Sequence, residues 1–377
     1  MGTLDHQTGI LNAVRCFAAA GWQVDVYTVR NLRFPQARFE SSLVTVRHLP
    51  VTFDAEREPR MAVTLLFTVW MLFKLRRLPR VVFAGGIRGL FAAYACSLLR
   101  SIQVINYQTE LYIGEKLDTR AAHLFKAIER RAAQRSLITI EHDATRRYLL
   151  SRDLGVPLER ILVVPNAPCG PARRHTSRLL HERFGLDSST PILLCPGTIS
   201  PAFATELAVQ AAQRLREPWR CIVHSAQPRA DDDAEIRALR AMDKQQCVLF
   251  SLAPVDYARI DDLLGSARVG LVLYSALVGD NTAAVGLASG KLSHFLKLGV
   301  PVIVSALPGL ADFVLRHRVG EVLQSPDDLL QLIARIDADA DGYRARALQC
   351  FDEHLSYDQA FRVVLDATET LSDGRRS

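Results

Sequence analysis

Short apolar runs alternate with helical segments in two successive series, and this doubled alternation constrains the fold more than any other feature. The first series has runs at Gln23–Val29, Val81–Ala84, Ser101–Tyr107, Leu137–Ile140 and Leu162–Val164. The second has runs at Ile192–Cys195, Arg220–His224, Cys247–Ser251, Val269–Tyr274 and Val302–Val304. Runs this short and apolar read as strands buried on both faces, and the segments between them have helical spacing. Strands that alternate with helices make parallel sheets covered by helices on both sides. The expectation is an α/β protein with two doubly wound parallel sheets, and 377 residues suffice for two separate cores. Gly170, Pro171, Arg173 and Arg174 mark a linker. The domains are therefore read as 1–172 and 173–350. Residues 351–377 form a last helix and tail, the helix returning to the first domain. One irregularity stands at the start. A helix at Ile10–Ala20 comes before any strand, whereas a doubly wound domain opens on a central strand. The reading is that this first strand is missing and that the coding frame extends upstream of Met1.

The chemistry concentrates between Val269 and Ser305. A strand ends at Tyr274, a loop carries Asp280 and Asn281, and Ser289-Gly290-Lys291 opens a helix. Gly299 and Pro301 end that helix before the next strand. A helix start presents unpaired N–H groups and the positive end of its dipole. Small residues let an anion approach, and Lys291 adds a charge. The stretch reads as a diphosphate seat; the alternative is an ordinary turn with a solvated lysine. It is not a P-loop, because Val285 and Leu292 stand where glycine and Ser/Thr are needed. Gly85-Gly86-Ile87-Arg88-Gly89 imitates a dinucleotide turn but has Ala84 in place of its first glycine.

Net charge is +6, which favours anionic partners: nucleotide phosphates, acidic lipid or nucleic acid. Nucleic acid is set aside, since no zinc knuckle, basic tail or aromatic RNA-binding signature occurs. The seven cysteines lack a C-x-x-C pair and read as small core residues of a reducing cytosol, without disulfides or a metal site. The apolar run Met61–Phe73, followed by Lys74, Arg76, Arg77 and Arg80, is too short to span a bilayer. It reads either as a core helix or as one lying on an anionic membrane surface. No signal peptide is read, so the expected location is cytoplasmic, with a peripheral place on the inner membrane left open.

Polar residues follow several strands. Gln108, Thr109 and Glu110 end one, and Glu141, His142 and Asp143 end another, with Arg146 a turn later. Strand ends are where open α/β sheets hold ligands. For Asp143 and Glu110, helix capping is the competing role.

Several motifs together resemble the retaining GT-B glycosyltransferases of family four. They are the closing Pro165-Asn166-Ala167, the Gly197-Thr198-Ile199-Ser200-Pro201 turn, and the run from Val285-Gly286-Leu287 through Ser289-Gly290-Lys291-Leu292 to Pro308-Gly309-Leu310. The resemblance implies two Rossmann-like domains. It also implies transfer of a sugar, with retention, from a nucleotide-diphosphate sugar to a glycan or lipid-linked acceptor, as in cell-surface polysaccharide synthesis. It implies no cofactor and no metal, the diphosphate being neutralised by a helix end and basic side chains. Carried over residue by residue, it makes Glu110 the catalytic or acceptor-facing acid. Gly197, Thr198, Asn281, Ser289, Gly290, Lys291 and His294 become donor-binding, the Ala253–Val255 region holds the base, and His142, Asp143 and Arg146 border the cleft. The chain departs from the family where two glutamates are usual, having Gly286 and His294. It departs again where an arginine and a lysine are usual, having Thr198 and Phe203. Two alternatives therefore stay open: a non-catalytic nucleotide-sugar-binding or scaffold homologue, and a sugar-nucleotide epimerase.

Overall fold

The computed structural model describes residues 7–31, 39–53, 60–75, 81–114 and 119–373. They form two compact units, Met1–Cys169 with Tyr357–Ser377, and Gly170–Ser356. The chain thus leaves the first unit at Cys169 and returns at Tyr357, against the boundaries at 172 and 350 read from sequence.

In the first unit the order is α1 (Thr8–Ala19), β1 (Val24–Asn31), β2 (Val44–Phe53), α2 (Arg60–Lys74), β3 (Val81–Gly85), α3 (Gly86–Leu99), β4 (Gln103–Tyr107), α4 (Arg120–Arg135), β5 (Ile138–Glu141), α5 (Ala144–Leu154) and β6 (Ile161–Val163). All pairings are parallel, but the strands make two sheets: β1–β2, and β3–β4–β5–β6. Among the described residues no strand precedes α1, and β1 and β3 are each paired on one side only. Val81, Val82 and Phe83 of β3 are accordingly only half-buried, whereas β5 is buried throughout. Leu11 and Val14 of α1 pack on Val26 of β1.

The second unit contains α6 (Leu179–Phe184), β7 (Ile192–Gly197), α7 (Thr205–Ala212), β8 (Arg220–Ser225), α8 (Ala234–Met242), β9 (Val248–Ser251), α9 (Ile260–Gly265), β10 (Val269–Val272), α10 (Asp280–Ala283), α11 (Gly290–Lys297), β11 (Val302–Ser305), α12 (Pro308–His317), β12 (Gly320–Leu323), α13 (Leu329–Ala338) and α14 (Ala340–Cys350). Its six strands are parallel in the order β12-β11-β10-β7-β8-β9. The strand order reverses between β7 and β10. At such a switch point the flanking loops turn to opposite faces and leave a crevice at the carboxyl ends. Leu193, Val223, Leu271 and Ile303 join Ala208, Leu239 and Ile333 from the covering helices in one core.

The last helix starts later than the sequence reading placed it. Phe351–Leu355 is a π turn continuing α14 inside the second unit, and α15 runs from Tyr357 to Asp373. Tyr357, Phe361, Val364 and Thr368, at helical spacing, are fully buried. They return α15 to the first unit, where the Phe361 ring meets Phe17 edge-on at 5.4 Å and Tyr357 Oη donates to Gly9 O at 2.7 Å.

Among the described residues no helix is long and apolar enough to cross a membrane. α2 buries Val63 and Met71 but leaves Met61, Leu65, Leu66, Val69 and Phe73 between 42% and 65% exposed. Both readings of this run thus find a face: Val63 and Met71 turn into the core, and Leu65 and Val69 point outward. Arg76, Arg77 and Arg80 lie outside the described residues.

Candidate functional site

The switch point of the second unit is built around Lys291. Ser289 ends a short turn and N-caps α11, its Oγ accepting from Leu292 N at 3.3 Å. That hydroxyl is itself held by Tyr274 Oη at 2.8 Å, just past β10. The cap orients the first turn of α11 so that the Lys291 side chain runs across the ends of β10 and β7. Its Nζ lies 3.4 Å from Leu273 O, 4.5 Å from the Tyr274 ring centre and 4.9 Å from that of Phe203. Ring faces attract a cation but do not neutralise it. Burial pushes the ammonium down from 10.5 to about 8.

Gly197, the last residue of β7, permits this path. A Cβ there would sit 3.4 Å from Lys291 Cδ, and the backbone at φ +126° is one that side-chain-bearing residues rarely adopt. Half-buried Thr198 follows it. Gly197, Thr198, Ser289, Gly290 and Lys291 are thus gathered at one crevice. The first N–H groups of α11 precede its intrahelical hydrogen bonds, so a charged side chain and a helix end stand together, the pairing that holds phosphate.

His294 and Asn281 occupy different positions. The His294 ring is buried and bonds back along its own helix, Nδ1 to Gly290 O at 3.0 Å. Burial lowers its pKa. Tyr257 meets the ring edge-on at 6.3 Å. Tyr257 continues the loop after β9, the loop read as a base holder. Pro254, Val255 and Asp256 of that loop, with Arg183 and Arg259, line a cavity of about 530 Å³. Arg183 Nη1 is anchored on Ser251 Oγ at 2.6 Å. Asn281 is half-buried on the four-residue α10. Gly286, where the family has a glutamate, is buried at φ +39°.

In the first unit, Glu110 is exposed just beyond β4. The other three candidates there serve the fold. His142 Nδ1 bonds Val164 O at 2.8 Å, its ring meets Tyr107 edge-on at 5.1 Å, and burial lowers its pKa. Asp143 N-caps α5, accepting from Thr145 N at 2.7 Å. Arg146, 2% exposed, pairs with the fully buried Glu141 at 2.8 Å, and the same carboxylate oxygen accepts from His142 N. Sequence reasoning missed Tyr274 as part of the site and treated Phe203 only as a departure. No sequence signal marks either residue, since an aromatic side chain near a strand end reads as core.

Comparison with known proteins bears on the fold and on the first unit. Residues 6–167 match the glycosyl transferase 4-like domain family. A D-inositol 3-phosphate glycosyltransferase of Xylanimonas cellulosilytica is 27% identical over 232 residues, 58% of this chain and 53% of the relative. The match thus spans about half the length of that curated relative. Among solved structures, sucrose-phosphate synthase from Thermosynechococcus elongatus superposes with a TM-score of 0.72 at 16% identity, covering 97% of this chain and 94% of that one. The Anabaena protein HepE in complex with UDP-glucose superposes with a TM-score of 0.64 at 12% identity, covering 88% and 86%. Residues 6–167 are thus similar to the glycosyl transferase 4-like domain, and the chain as a whole has the GT-B fold of these solved structures.

Proposed function

We propose that the protein is a glycosyltransferase that takes a sugar from a nucleotide-diphosphate donor bound on its second unit. The observation that carries this is Lys291, a half-buried ammonium beside the capped start of α11. Among the described residues no carboxylate pairs with this charge, and a diphosphate would supply a counter-ion. When the bond from sugar to diphosphate breaks, negative charge grows on the leaving oxygen. Lys291 and the α11 N–H groups are placed in advance to stabilise it. This reading gives that neutralisation to protein groups rather than to a metal ion. The base would lie along the loop from Ala253 to Val255. Glu110, exposed past β4, would face the acceptor, and retention follows the family resemblance. HepE, a structural neighbour, is described as binding UDP-glucose, which supports the donor class.

The proposed acceptor is a glycan or lipid-linked sugar of cell-surface polysaccharide synthesis, reached at an anionic membrane. Support comes from α2, whose outward stripe of Met61, Leu65, Val69 and Phe73 follows a strict four-residue spacing. Such a face on a helix too short to span suits a bilayer surface.

A second reading has its own observation. Phe203, at a position where family members carry a lysine, covers Lys291 with a ring instead of adding a charge. A protein that keeps Lys291 but lacks both the family's arginine and its lysine could bind the donor and not cleave it. The two readings separate in one experiment. Nucleotide sugars are incubated with the protein, with and without a membrane-lipid extract, and nucleoside diphosphate release is followed. Transfer requires acceptor-dependent release. Binding by calorimetry with no release under any acceptor favours the binder, and no binding at all removes both.

A further inference from the structure

Three ligand-bearing side chains that are far apart in sequence meet inside the first unit. Cys16 lies in the last turn of α1, Cys169 is where the chain leaves the unit, and Asp358 is in the first turn of α15, where the chain returns. Their two sulfurs and a carboxylate oxygen all lie within 4.8 Å of one another. Cys16 Sγ is 3.8 Å from Asp358 Oδ1. A tetrahedral zinc ion with bonds of about 2.0–2.3 Å needs ligand atoms roughly 3.3–3.8 Å apart. Small side-chain rotations therefore close the cluster on one ion. Cys16 is buried and the other two are half-buried, so the group is shielded and still reachable.

We infer that Cys16, Cys169 and Asp358 form a zinc site, with water as the fourth ligand. Two thiolates select a borderline-soft divalent ion over magnesium or calcium, and the carboxylate suits zinc. The site is independent of the donor seat, which lies in the other unit. It departs from the sequence reading that the scattered cysteines hold no metal. A C-x-x-C search cannot find it, because the fold alone brings the ligands together. The ion would cross-link three segments of one unit, so its binding energy would stabilise that unit.

The test is titration of the reduced, chelator-treated full chain with cobalt(II), followed by zinc. Thiolate-to-cobalt absorption should appear, saturate at one ion per chain and disappear when zinc is added. Cys16→Ser combined with Cys169→Ser should abolish the band, while Cys96→Ser combined with Cys350→Ser should retain it. Asp358→Asn keeps both thiols and should weaken cobalt binding by about tenfold or more. Absence of the band in the wild type overturns the proposal. So does a band that survives in the Cys16/Cys169 variant, or a mass spectrum showing those two cysteines as a disulfide in protein isolated without reductant.

Discussion

Lys291 holds its charge where water cannot fully solvate it, and that gives the donor seat a pH limit. A bound diphosphate offsets the desolvation, so it prefers the ammonium form. Affinity for nucleoside diphosphates, measured by calorimetry across pH, should fall as pH rises through about 8. The stability of the free protein should move the other way. Between about 8 and the ordinary 10.5, the unfolded chain keeps a proton that the folded chain has lost. Stability from this group therefore rises with pH across that window. Lys291→Ala should weaken diphosphate binding by about 1.5–3 kcal/mol, roughly 10- to 150-fold, and remove its pH dependence. Phe203→Ala should rehydrate the ammonium and move the pH limit upward; an unmoved limit would mean the ring does not set it. Lys291 was legible because Gly290, Gly299 and Pro301 fix where its helix starts and stops. Tyr274 and Phe203 were not, because an aromatic residue after a strand reads as core until its ring is seen facing a cation.

Two helices separate scaffold from surface. α5 begins at Asp143, whose carboxylate accepts the first N–H groups of the helix. Asp143→Ala should cost about 1 kcal/mol of stability and leave nucleoside-diphosphate affinity unchanged. A cleft residue would do the reverse, changing ligand handling more than the melting temperature. Capping was already visible in the sequence as the competing role, but the buried Arg146–Glu141 pair was not. Glu141 is the last residue of its strand and Arg146 sits in the first turn of α5, and only the packing shows them closing on each other. α2 poses the opposite question. Its periodicity said helix, yet an apolar residue on every side left the buried face undecided. The fold decides it, putting Val63 and Met71 inward and Leu65, Val69 and Phe73 outward. Arg100 Nη2 donates to Leu72 O at 2.8 Å, which sets the end of α3, with exposed Leu98 and Leu99, beside the end of α2. Replacing Leu65, Val69 and Phe73 by glutamate should leave melting nearly unchanged and abolish flotation with anionic liposomes. Wild-type flotation should weaken with salt, because Lys74 and the basic residues after it each contribute about 1 kcal/mol that ions screen. A wild type that never floats would leave the stripe without a membrane role.

Across the whole molecule, the alternation of runs revealed two parallel-sheet units but not their strand orders. Order depends on which way each crossover turns, and no local residue pattern records that beyond its handedness. The switch point between β7 and β10, which turns Gly197 and Lys291 into neighbours, was therefore invisible, although both residues were read as donor contacts. The divided sheet of the first unit has a similar origin: the odd helix-first start was visible, but not that β1 and β3 would end in different sheets. The two units have separate cores, one around Leu271 and Val223, the other around Leu90, Ala93 and Val104. Ligands held by one unit alone should then act on that unit's unfolding, and a single two-state transition is not the expectation. Calorimetric melting with a nucleoside diphosphate at a hundredfold excess over its dissociation constant should stabilise the second unit by about 2.7 kcal/mol. Hydrogen exchange should slow at the ends of β7 and β10 and the start of α11, and stay unchanged in β1 and β2. Lys291→Ala should abolish most of this protection. Protection spread evenly over both units would show instead that they unfold as one, and the ligand would then report on global stability and not on its seat.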